Sequence, residues 1–395
     1  MEFTVSSSVL HRHLSIVNRV VTGKSTLPIL DYFLFSVDEG KLRLMGSDLE
    51  TTITTTLPLN DMMAAGQVGV PARLLISTLK EFPDMLLHFK VDDSTHSISV
   101  EYEANSRKGA FDLVGADAEE FPQLPEVGKG QKTEIEITTD ILVQGLANTL
   151  FSMGTSNLTA HLFGVLLEAK QEHLRFVATD SSRISCYTRT DVHPDGVMSV
   201  LLPGRPAQML GSVFGKAGDP LKIAFDEHNL VFTTDTVQVI CRLTEAHFPD
   251  YESVFPKNNN FKLLVDRELL HNAIRQVSPF SNQGTNLVAL EMHNDQLTVR
   301  SNNFENRNRA FQTIPCEYDG EERTVGFRTH FLTELLQVIS SQEVVFYLAE
   351  NVQSSVLVRP TVNPSEAEDL LMIVMPSSLD SYGYNAYATD GEEQG

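Results

Sequence analysis

Residues 174–180 read Leu174-Arg-Phe-Val-Ala-Thr-Asp180, and a similar stretch occurs twice more in the chain. The related stretches are Leu42-Arg-Leu-Met-Gly-Ser-Asp48 and Leu297-Thr-Val-Arg-Ser-Asn-Asn303. Each begins with leucine, alternates apolar residues with outward positions and ends in a small polar or acidic pair, which is typical of a half-buried β-strand. This internal repetition indicates one structural unit that occurs three times.

The similarity extends upstream of each stretch without a gap. In every copy, a largely apolar run is followed by a polar connection of four residues and then by the quoted stretch. The runs and connections are residues 33–37 with 38–41, 165–169 with 170–173, and 288–292 with 293–296. We therefore predict two strands joined by a tight turn in each copy.

Each copy also predicts two helices, one before this hairpin and one after it. In the first copy, residues 6–8 precede Leu10, Leu14, Val17 and Val21, which have the spacing of one helical face. The other two leading helices follow residues 138–140 and Asp266, each after a short strand at 134–137 or 261–265, as 3–5 precedes the first. The three trailing helices open at residues 70–73, 202–205 and 326–329, and further strands follow them.

This order predicts three tandem domains of the α+β class, each a two-layer arrangement of helices against antiparallel sheet. Phe-Pro pairs at 121–122 and 248–249 mark chain leaving a final strand, since the residue before proline favours extended geometry. The predicted domains are residues 1–127, 128–256 and 257–379, and the acidic tail 380–395 is predicted to be disordered. Joining such modules edge to edge would cover their strand edges, and closing a ring would leave none exposed.

Composition sets limits on the function. The length of 395 residues suits two to four domains. Thirty Lys and Arg residues against 52 Asp and Glu residues leave a net charge of −22, which taken alone argues against nucleic acid as a partner. Cys186, Cys241 and Cys316 lie far apart, so we expect reduced thiols in a cytosolic protein. We also expect no export signal at the N-terminus and no transmembrane helix.

The distribution of charge is more informative than its total. Residues 3–30 contain no acidic residue but three lysines or arginines, and residues 200–218 contain no acidic residue but two. Both windows fall on predicted helices with their flanks. One hypothesis is that the helices present a mildly positive face while strands and loops carry the acids, so that a ring with helices inside would have a positive hole. The alternative is a scattered, solvated face.

Catalytic motifs are weak. Gly23-Lys-Ser-Thr26 resembles the end of a phosphate-binding loop, but that loop needs another glycine where Asn18 stands, and it needs a strand before it and a helix after it. No recognised catalytic, metal or dinucleotide motif occurs, and no cofactor is expected. A nucleotide-dependent enzyme that uses Lys24 and a repeat-built interaction scaffold that never encircles DNA both remain as alternatives.

Six short motifs on this threefold repeat resemble a known family when they are read in order. They are Leu27-Pro-Ile-Leu30, Ser47-Asp-Leu-Glu50, Val70-Pro-Ala-Arg73, Val177-Ala-Thr-Asp180 with Arg183, Phe248-Pro-Asp-Tyr251 and Val374-Met-Pro376. Over about residues 1–379 the set resembles the bacterial sliding clamps, the beta subunits of the replicative DNA polymerase. The resemblance implies a non-catalytic processivity factor: a head-to-tail homodimer of six domains around duplex DNA, with the helices inside, in the cytoplasm and associated with the nucleoid.

The resemblance also implies particular residues for DNA and for the dimer. Lys24 and Arg205 match basic positions that contact DNA in the family. Ala160 and His161 stand where larger aromatic residues are often found. The dimer contact would set one strand of the first domain against a helix end of the third domain in the other subunit, through Phe111, Leu113, Pro279 and Phe280. The alternative for these four residues is an ordinary domain core.

A pocket for short peptides of partner proteins is the remaining implication. The partners would be the replicative polymerase, the clamp loader and other replication or repair proteins. Single peptides should bind weakly, on the order of micromolar, because two buried apolar anchors contribute about 1.5–3 kcal/mol each and ordering the peptide costs about 2–5 kcal/mol. Ser181-Ser182 replaces a frequent Gly-His pair. The residues that match the pocket are Leu162, Thr179, Ser181, Ser182, Arg183, Ile184, Pro249, Val254, Val374, Met375, Pro376 and Leu379.

Overall fold

The threefold order of elements predicted from the sequence is present in the protein. The computed structural model describes residues 1–23, 27–104, 107–123, 133–194, 196–215, 217–303 and 306–379. Within these residues, six α-helices and 25 β-strands form three tandem α+β domains. Lys24 and the predicted tail 380–395 lie outside the described residues, and the domain limits 1–127, 128–256 and 257–379 remain predictions.

Each domain contributes two α-helices to the described part of the chain, and each helix directly follows a strand. The helices are α1 (Ser7–Val17), α2 (Ala72–Lys80), α3 (Thr139–Thr149), α4 (Gly204–Phe214), α5 (Arg267–Val277) and α6 (Thr329–Val338). Short 3-10 helices occur at Pro28–Asp31, Ala118–Glu120, Leu150–Ser152, Asn157–Thr159, Glu252–Val254 and Ser278–Phe280.

The strands follow one order in the three copies, with one additional strand, β5, in the first. The first copy contains β1 (Glu2–Ser6), β2 (Tyr32–Asp38), β3 (Lys41–Ser47), β4 (Thr51–Pro58), β5 (Asp61–Ala64), β6 (Gly66–Pro71), β7 (Leu86–Val91), β8 (Ser97–Ala104) and β9 (Arg107–Val114). The second contains β10 (Thr133–Thr138), β11 (Gly164–Lys170), β12 (His173–Thr179), β13 (Arg183–Arg189), β14 (Met198–Pro203), β15 (Pro220–Phe225), β16 (Asn229–Thr233) and β17 (Val237–Arg242). The third contains β18 (Phe261–Asp266), β19 (Leu287–Met292), β20 (Gln296–Asn303), β21 (Asn308–Tyr318), β22 (Arg323–Arg328), β23 (Glu343–Leu348), β24 (Val356–Pro360) and β25 (Glu368–Val374).

Local sequence explains where the leading helices begin. The Ser6 side chain accepts a hydrogen bond from the Val9 amide, and the Asp266 side chain accepts one from the Leu269 amide, so each caps free N–H groups of a first turn. Leu10, Leu14 and Val17 are buried along α1 as predicted. The predicted extension to Val21 is wrong, because α1 ends at Val17 and the chain leaves through a turn.

The predicted hairpin is present, with a tighter turn than the sequence suggested. Asp38 and Lys41 already pair as the last residues of β2 and β3, so only Glu39 and Gly40 connect the strands. Both have positive φ, +48° and +73°, which matches the right-handed twist of the flanking strands and favours glycine. The corresponding pair, Lys170 with His173, closes the second hairpin in the same way.

The domains join edge to edge, as the sequence suggested for a chain of like modules. Strand β17 of the second copy pairs antiparallel with β4 of the first, and β25 of the third pairs with β13 of the second. The chain consequently separates into two compact units. The first comprises Met1–Val143 with Arg205–Glu245, and the second comprises Gln144–Gly204 with Ala246–Gly395. The middle domain is divided between them because each of its halves shares a sheet with a neighbour.

The first unit holds two sheets, and aromatic residues form part of its core. Its five-stranded sheet has the order β5-β1-β7-β8-β9, and its eight-stranded sheet has the order β10-β15-β16-β17-β4-β3-β2-β6. Phe3 of β1 and Phe89 of β7 stack with ring centroids 4.9 Å apart, and both are fully buried. Burying a phenylalanine contributes about 1.5–3 kcal/mol, so this pair is a substantial part of the core.

The second unit is built on one continuous arrangement of twelve strands. Their order is β14-β11-β12-β13-β25-β24-β23-β18-β21-β20-β19-β22. Phe176, in the middle of the stretch quoted first, is fully buried against α3. A Cβ on Gly145 of that helix would lie 2.4 Å from the Phe176 ring, so only glycine lets the helix approach β12 this closely.

Candidate functional site

The end of the quoted stretch forms a hydrogen-bonded turn between β12 and β13. One carboxylate oxygen of Asp180 accepts hydrogen bonds from the Ser182 and Arg183 amides at 2.9 and 3.0 Å. The Thr179 hydroxyl donates to the Arg183 carbonyl at 2.8 Å and accepts from the Ser181 amide at 3.1 Å. These bonds fix the path of the chain through the predicted pocket residues.

Equivalent hydrogen bonds from the last side chain of the stretch occur in the other two copies, which explains why the stretch repeats. Asp48 accepts from the Glu50 and Thr51 amides, and Asn303 accepts from the Asn306 amide. In the first copy, Leu49 adopts φ +75°, and in the second Ser181 adopts φ +73°. The small polar or acidic end of each stretch is therefore a residue type that accepts hydrogen bonds from the amides that follow it, and in the first two copies the next position favours glycine.

Arg183 is the most enclosed charge at this turn. Its Nε donates to Asp180 Oδ2 at 3.0 Å and its Nη1 donates to Glu334 Oε2 at 2.6 Å. The guanidinium carbon lies 4.7 Å from the ring centroid of Phe331 and 5.4 Å from that of Phe151, both within cation–π distance. Because its side chain is only 8% exposed, Arg183 offers little charge to solvent, and its contacts with Glu334 and Phe331 connect α6 to the turn.

Strand β25 and the residues that follow it lie beside this turn and complete this side of the site. Val374 pairs with Arg183, and the Met375 amide then donates to the Ser182 carbonyl at 2.8 Å. Ser377 continues the contact by donating its amide to the Gly326 carbonyl at 2.8 Å. A Cβ on Gly326 would lie 2.6 Å from Leu379 Cδ2, so Leu379 packs directly on this glycine.

Apolar side chains lie beneath and beside the turn. Ile184 and Tyr251 belong to one buried cluster with Ile373, and the partly buried Phe248 and Phe255 pack against it. This packing brings the 248–255 segment to the site. Met375 is 36% exposed and Val254 is 47% exposed, so both leave apolar surface for a ligand.

Tyr251 is held by two charged side chains on neighbouring strands, Glu168 of β11 and Arg175 of β12. Its hydroxyl donates to Glu168 Oε2 at 3.0 Å and accepts from Arg175 Nη1 at 2.9 Å. Burial raises the pKa of Glu168, but hydrogen bonds from Lys170 and Tyr251 outweigh it and hold the pKa below its usual value. Burial raises the pKa of Tyr251 well above its usual value. The anchor of the 248–255 segment thus keeps one charge state through the neutral range.

The contacts bring most of the predicted pocket residues together. Leu162 is the exception: it is 9% exposed and lies against Gly154, and it shares no hydrogen bond, strand pairing or apolar cluster with the others. Those joined by direct hydrogen bonds, strand pairing or a shared cluster, together with their chain neighbours, are Thr179, Ser181, Ser182, Arg183, Ile184, Pro249, Val254, Val374, Met375, Pro376 and Leu379.

Sequence reasoning missed the contribution of α6 and its entry strand. Phe331, Glu334 and Gly326 all touch the site, yet they lie about 150 positions from the turn, and the sequence predicts α6 only as a repeated helix. His330 precedes Phe331 with ring centroids 4.5 Å apart. Burial and the nearby Arg183 lower the pKa of His330, so the neutral imidazole is favoured at neutral pH.

The residues matched to DNA contact are only partly placed. Arg205 is exposed in the first turn of α4, whereas Lys24 lies outside the described residues. Ala160 and His161 are exposed after a short 3-10 helix, beside Leu158, which is 97% exposed. A fully exposed leucine at this position was not anticipated from the sequence.

The four residues assigned to a dimer contact differ in exposure. Leu113 is 4% exposed within the chain and so offers little surface, while Phe111 is half-buried with its ring 5.9 Å from that of Phe82. Pro279 and Phe280 are exposed, Phe280 by 42%.

The part of the chain that the structure describes has neither a metal-binding cluster nor a membrane-spanning helix. No cluster of three or more His, Cys, Asp or Glu residues there could hold a metal ion. No described helix is long and apolar enough to cross a membrane. Burial raises the pKa of both Cys186 and Cys316 to about 11, so neither thiol is activated.

Comparison with known proteins follows the domain order seen in the fold. Three models of the DNA polymerase III beta subunit match in sequence: the N-terminal domain at residues 1–125, the central domain at 136–250 and the C-terminal domain at 252–376. The beta sliding clamp of Pseudomonas aeruginosa is 28% identical over 381 residues, covering 96% of this chain and all of the relative. That of Escherichia coli K12 is 27% identical over 384 residues, with the same two shares.

Solved structures give the same result. A sliding clamp from Pseudomonas aeruginosa bound to griselimycin superposes with a TM-score of 0.88 at 28% identity, covering 96% of this chain and all of that chain. One from Bartonella birtlesii, also bound to griselimycin, has a TM-score of 0.88 at 26% identity and the same coverage. The three matched models together span nearly the whole chain, which therefore belongs to the DNA polymerase III beta subunit family, the sliding clamps that serve the polymerase as a non-catalytic processivity subunit.

Proposed function

We propose that two copies of this chain close head to tail into a ring around duplex DNA, and that the pocket beside Arg183 holds peptides of the polymerase, the clamp loader and other replication proteins. The observation that carries the ring is a repeated strand junction. The chain makes this junction twice internally and has the two edges for a third left over.

The two internal junctions have the same register. At the first, Ile240 of β17 lies opposite Thr52 of β4, and at the second Ile373 of β25 lies opposite Ile184 of β13. Counting through the hairpins from each helix cap shows that these two pairs are equivalent positions of the repeat. An edge strand of one domain thus always meets the same strand of the preceding domain.

For a third junction of this kind, the equivalent strands are β9 of the first domain and the first part of β21 in the third. In the described residues, β9 pairs along its length with β8, and residues 308–315 of β21 pair with β20. The equivalent register places Asp112 of one subunit opposite Arg309 of the other. Both side chains are exposed in the single chain, and opposite charges across an antiparallel pair are favourable by about 0.2–1 kcal/mol. Repeating this junction in both directions closes a ring of six domains.

Charge supports the placement of the helices around DNA. The six described helices carry the acidic residues Asp140, Glu268 and Glu334, and they carry twice as many cations: Arg12, Arg73, Lys80, Arg205, Arg267 and Arg275. Their net charge is therefore positive, while the chain as a whole carries −22. A hole lined by helices would attract the phosphate backbone without reading bases, and the acidic strands and loops would repel DNA from the outside.

The pocket is suited to an extended peptide with apolar anchors. Exposed Met375 and Val254 lie at the edge of a buried apolar cluster, and Arg183 is already satisfied by two carboxylates, so recognition rests on apolar burial. Weak binding of each peptide would allow partners to exchange. We propose that griselimycin, which the Pseudomonas aeruginosa clamp binds, would also bind this chain. A clamp that travels on chromosomal DNA would be found with the nucleoid.

Retention on DNA tests the ring directly. The protein is loaded on nicked circular DNA with a clamp loader, and a sample is then linearised. We expect retention on the circle and loss from the linear molecule, because a ring is held by topology and slides off free ends. Equal retention on both would instead favour a scaffold that never encircles DNA.

A further inference from the structure

A second cavity lies at the strand junction between the first two domains, at the place in the repeat that corresponds to the pocket beside Arg183. It has a volume of about 280 Å³, and all of its lining residues belong to the first unit. The lining comes from the turn between β3 and β4 with the start of β4, from β17, and from the residues that connect β15 to β16.

The backbone around this cavity makes the same hydrogen bonds as the backbone around the pocket. The Arg242 amide, at the end of β17, donates to the Glu50 carbonyl at 2.8 Å. In the pocket, the Met375 amide makes the equivalent bond to the Ser182 carbonyl, also at 2.8 Å. The residues just before Glu50 and Ser182 both have a left-handed backbone, with φ +75° and +73°. The first junction therefore repeats the frame of the pocket, and the two sites differ in their side chains.

Those side chains combine an apolar surface with two charges. Leu49 is 47% exposed, while Ile240 and Thr52 line the cavity from buried positions. Glu50 and Arg242 line it as well, and both are exposed. They form no ion pair with each other or with any other residue that the structure describes. An acidic and a basic group therefore lie beside the apolar surface, and each charge is available to a ligand.

The charges distinguish this cavity from the pocket. The positions equivalent to Glu50 and Arg242 are Ser182 and Met375, which are uncharged. Because the frame is shared and the charges are not, the two sites suit extended segments of different composition.

We propose that this cavity binds a short extended segment of a partner protein in which one apolar residue stands between an acidic and a basic residue. The apolar side chain packs on Leu49 and Ile240, and the acidic residue pairs with Arg242. The basic residue pairs with Glu50. The proposal rests on the peptide pocket proposed beside Arg183, because the cavity repeats the frame of that site.

The size of the cavity limits the affinity of such a segment. Its volume lies just below the range of about 300–1,000 Å³ that is usual for ligand pockets, so one apolar anchor fits. We expect a short peptide to bind with a dissociation constant on the order of millimolar. The cavity is therefore suited to a partner that another contact already holds on the clamp, since tethering raises the local concentration of the segment.

The test is an NMR titration of the full-length protein, isotope-labelled at its isoleucine and leucine methyl groups, with the acetylated and amidated peptide Gly-Asp-Leu-Lys-Gly. We expect the methyl signals of Leu49 and Ile240 to shift and to reach saturation. Gly-Asp-Ser-Lys-Gly, which lacks the apolar anchor, should give no saturation. Arg242→Glu should weaken binding of the leucine peptide by about fivefold or more, because repulsion replaces attraction, and Arg242→Lys should keep most of the affinity. The control is Arg43→Glu, which reverses an exposed charge on β3 outside the cavity and should leave the affinity unchanged.

The same spectra report separately on the pocket beside Arg183 through the signals of Ile184 and Ile373, which lie in its apolar cluster. A peptide with Leu and Phe anchors that shifts these two signals, while Gly-Asp-Leu-Lys-Gly leaves Leu49 and Ile240 unmoved, would overturn the cavity and leave the pocket in place. If the peptide with two anchors leaves Ile184 and Ile373 unmoved, the pocket itself fails.

The charge variants decide how the cavity selects its ligand. Binding of Gly-Asp-Leu-Lys-Gly that is equally tight in Arg242→Glu and in Arg43→Glu would overturn recognition of an acidic residue by Arg242. Equal shifts with the leucine and serine peptides would overturn the apolar anchor on Leu49 and Ile240.

Discussion

Arg183 and Glu334 are joined across 151 positions of sequence by a hydrogen-bonded ion pair of 2.6 Å between Nη1 and Oε2. One residue opens β13 in the second domain, and the other lies on α6 in the third. The pair therefore ties together the two domains that form the candidate pocket, in addition to the β13–β25 pairing beside it. The two side chains differ in burial: Arg183 is 8% exposed and Glu334 is 41% exposed.

Replacing Arg183 with alanine should lower the stability of the second unit. Breaking a buried pair costs about 3–5 kcal/mol, but Glu334 can be solvated here, so we expect a loss of about 2–3 kcal/mol including the contact with Phe331. The matched control is Arg359→Ala, which breaks a pair with Asp369 in which both side chains are 41% exposed and should cost at most about 1 kcal/mol. Calorimetric unfolding of both variants decides the matter, and equal transition temperatures would contradict a structural role for Arg183.

Replacing Ser181 with glycine should stabilise the protein. Ser181 has φ +73°, a left-handed conformation that costs a non-glycine residue roughly 1–2 kcal/mol, while glycine adds about 0.5–1 kcal/mol of unfolded-state entropy. The expected gain is about 0.5–1 kcal/mol in the free energy of unfolding. Leu49→Gly, at φ +75°, should gain similarly, whereas Ser182→Gly, where the backbone is not left-handed, should lose stability. A Ser181→Gly variant no more stable than Ser182→Gly would show that strain is not stored at this turn.

Two shortened proteins should show that peptide binding needs residues 375–379 but does not need the tail after Leu379. A protein ending at Val374 lacks Met375, the Ser377 contact with Gly326 and the packing of Leu379. It should lose binding of a labelled synthetic peptide with Leu and Phe anchors by at least about tenfold, since each buried anchor contributes about 1.5–3 kcal/mol. A protein ending at Leu379 is the control and should bind as the full chain does. Sedimentation should show the same dimer for both, and unchanged peptide affinity after removal of Met375 would place the pocket elsewhere.

The sequence predicted those features that depend on local pattern. The repeat, the α+β class, the caps at Ser6 and Asp266 and the edge-to-edge joining all follow from period and spacing. What it could not predict are contacts set by packing between domains. Nothing in the residues around Glu334 indicates a partner 151 positions away, and the tight two-residue turn at Glu39 depends on backbone geometry that several loop lengths could satisfy. The family resemblance supplied the pocket residues but not the side chains of α6 that hold them.

Exchanging charges between Asp112 and Arg309 tests the subunit junction most directly. The register of the two internal junctions places these exposed residues opposite each other across β9 and β21. Asp112→Arg and Arg309→Asp should each weaken the dimer, because like charges directly opposite on antiparallel strands repel. The double variant restores a pair of opposite charges and should recover most of the dimer constant in sedimentation equilibrium. Within a single chain the two residues lie on different strands with no shared pairing, so recovery in the double variant requires contact between subunits. If the two single effects simply add in the double variant, these residues do not face each other, and the register of the third junction differs from the first two.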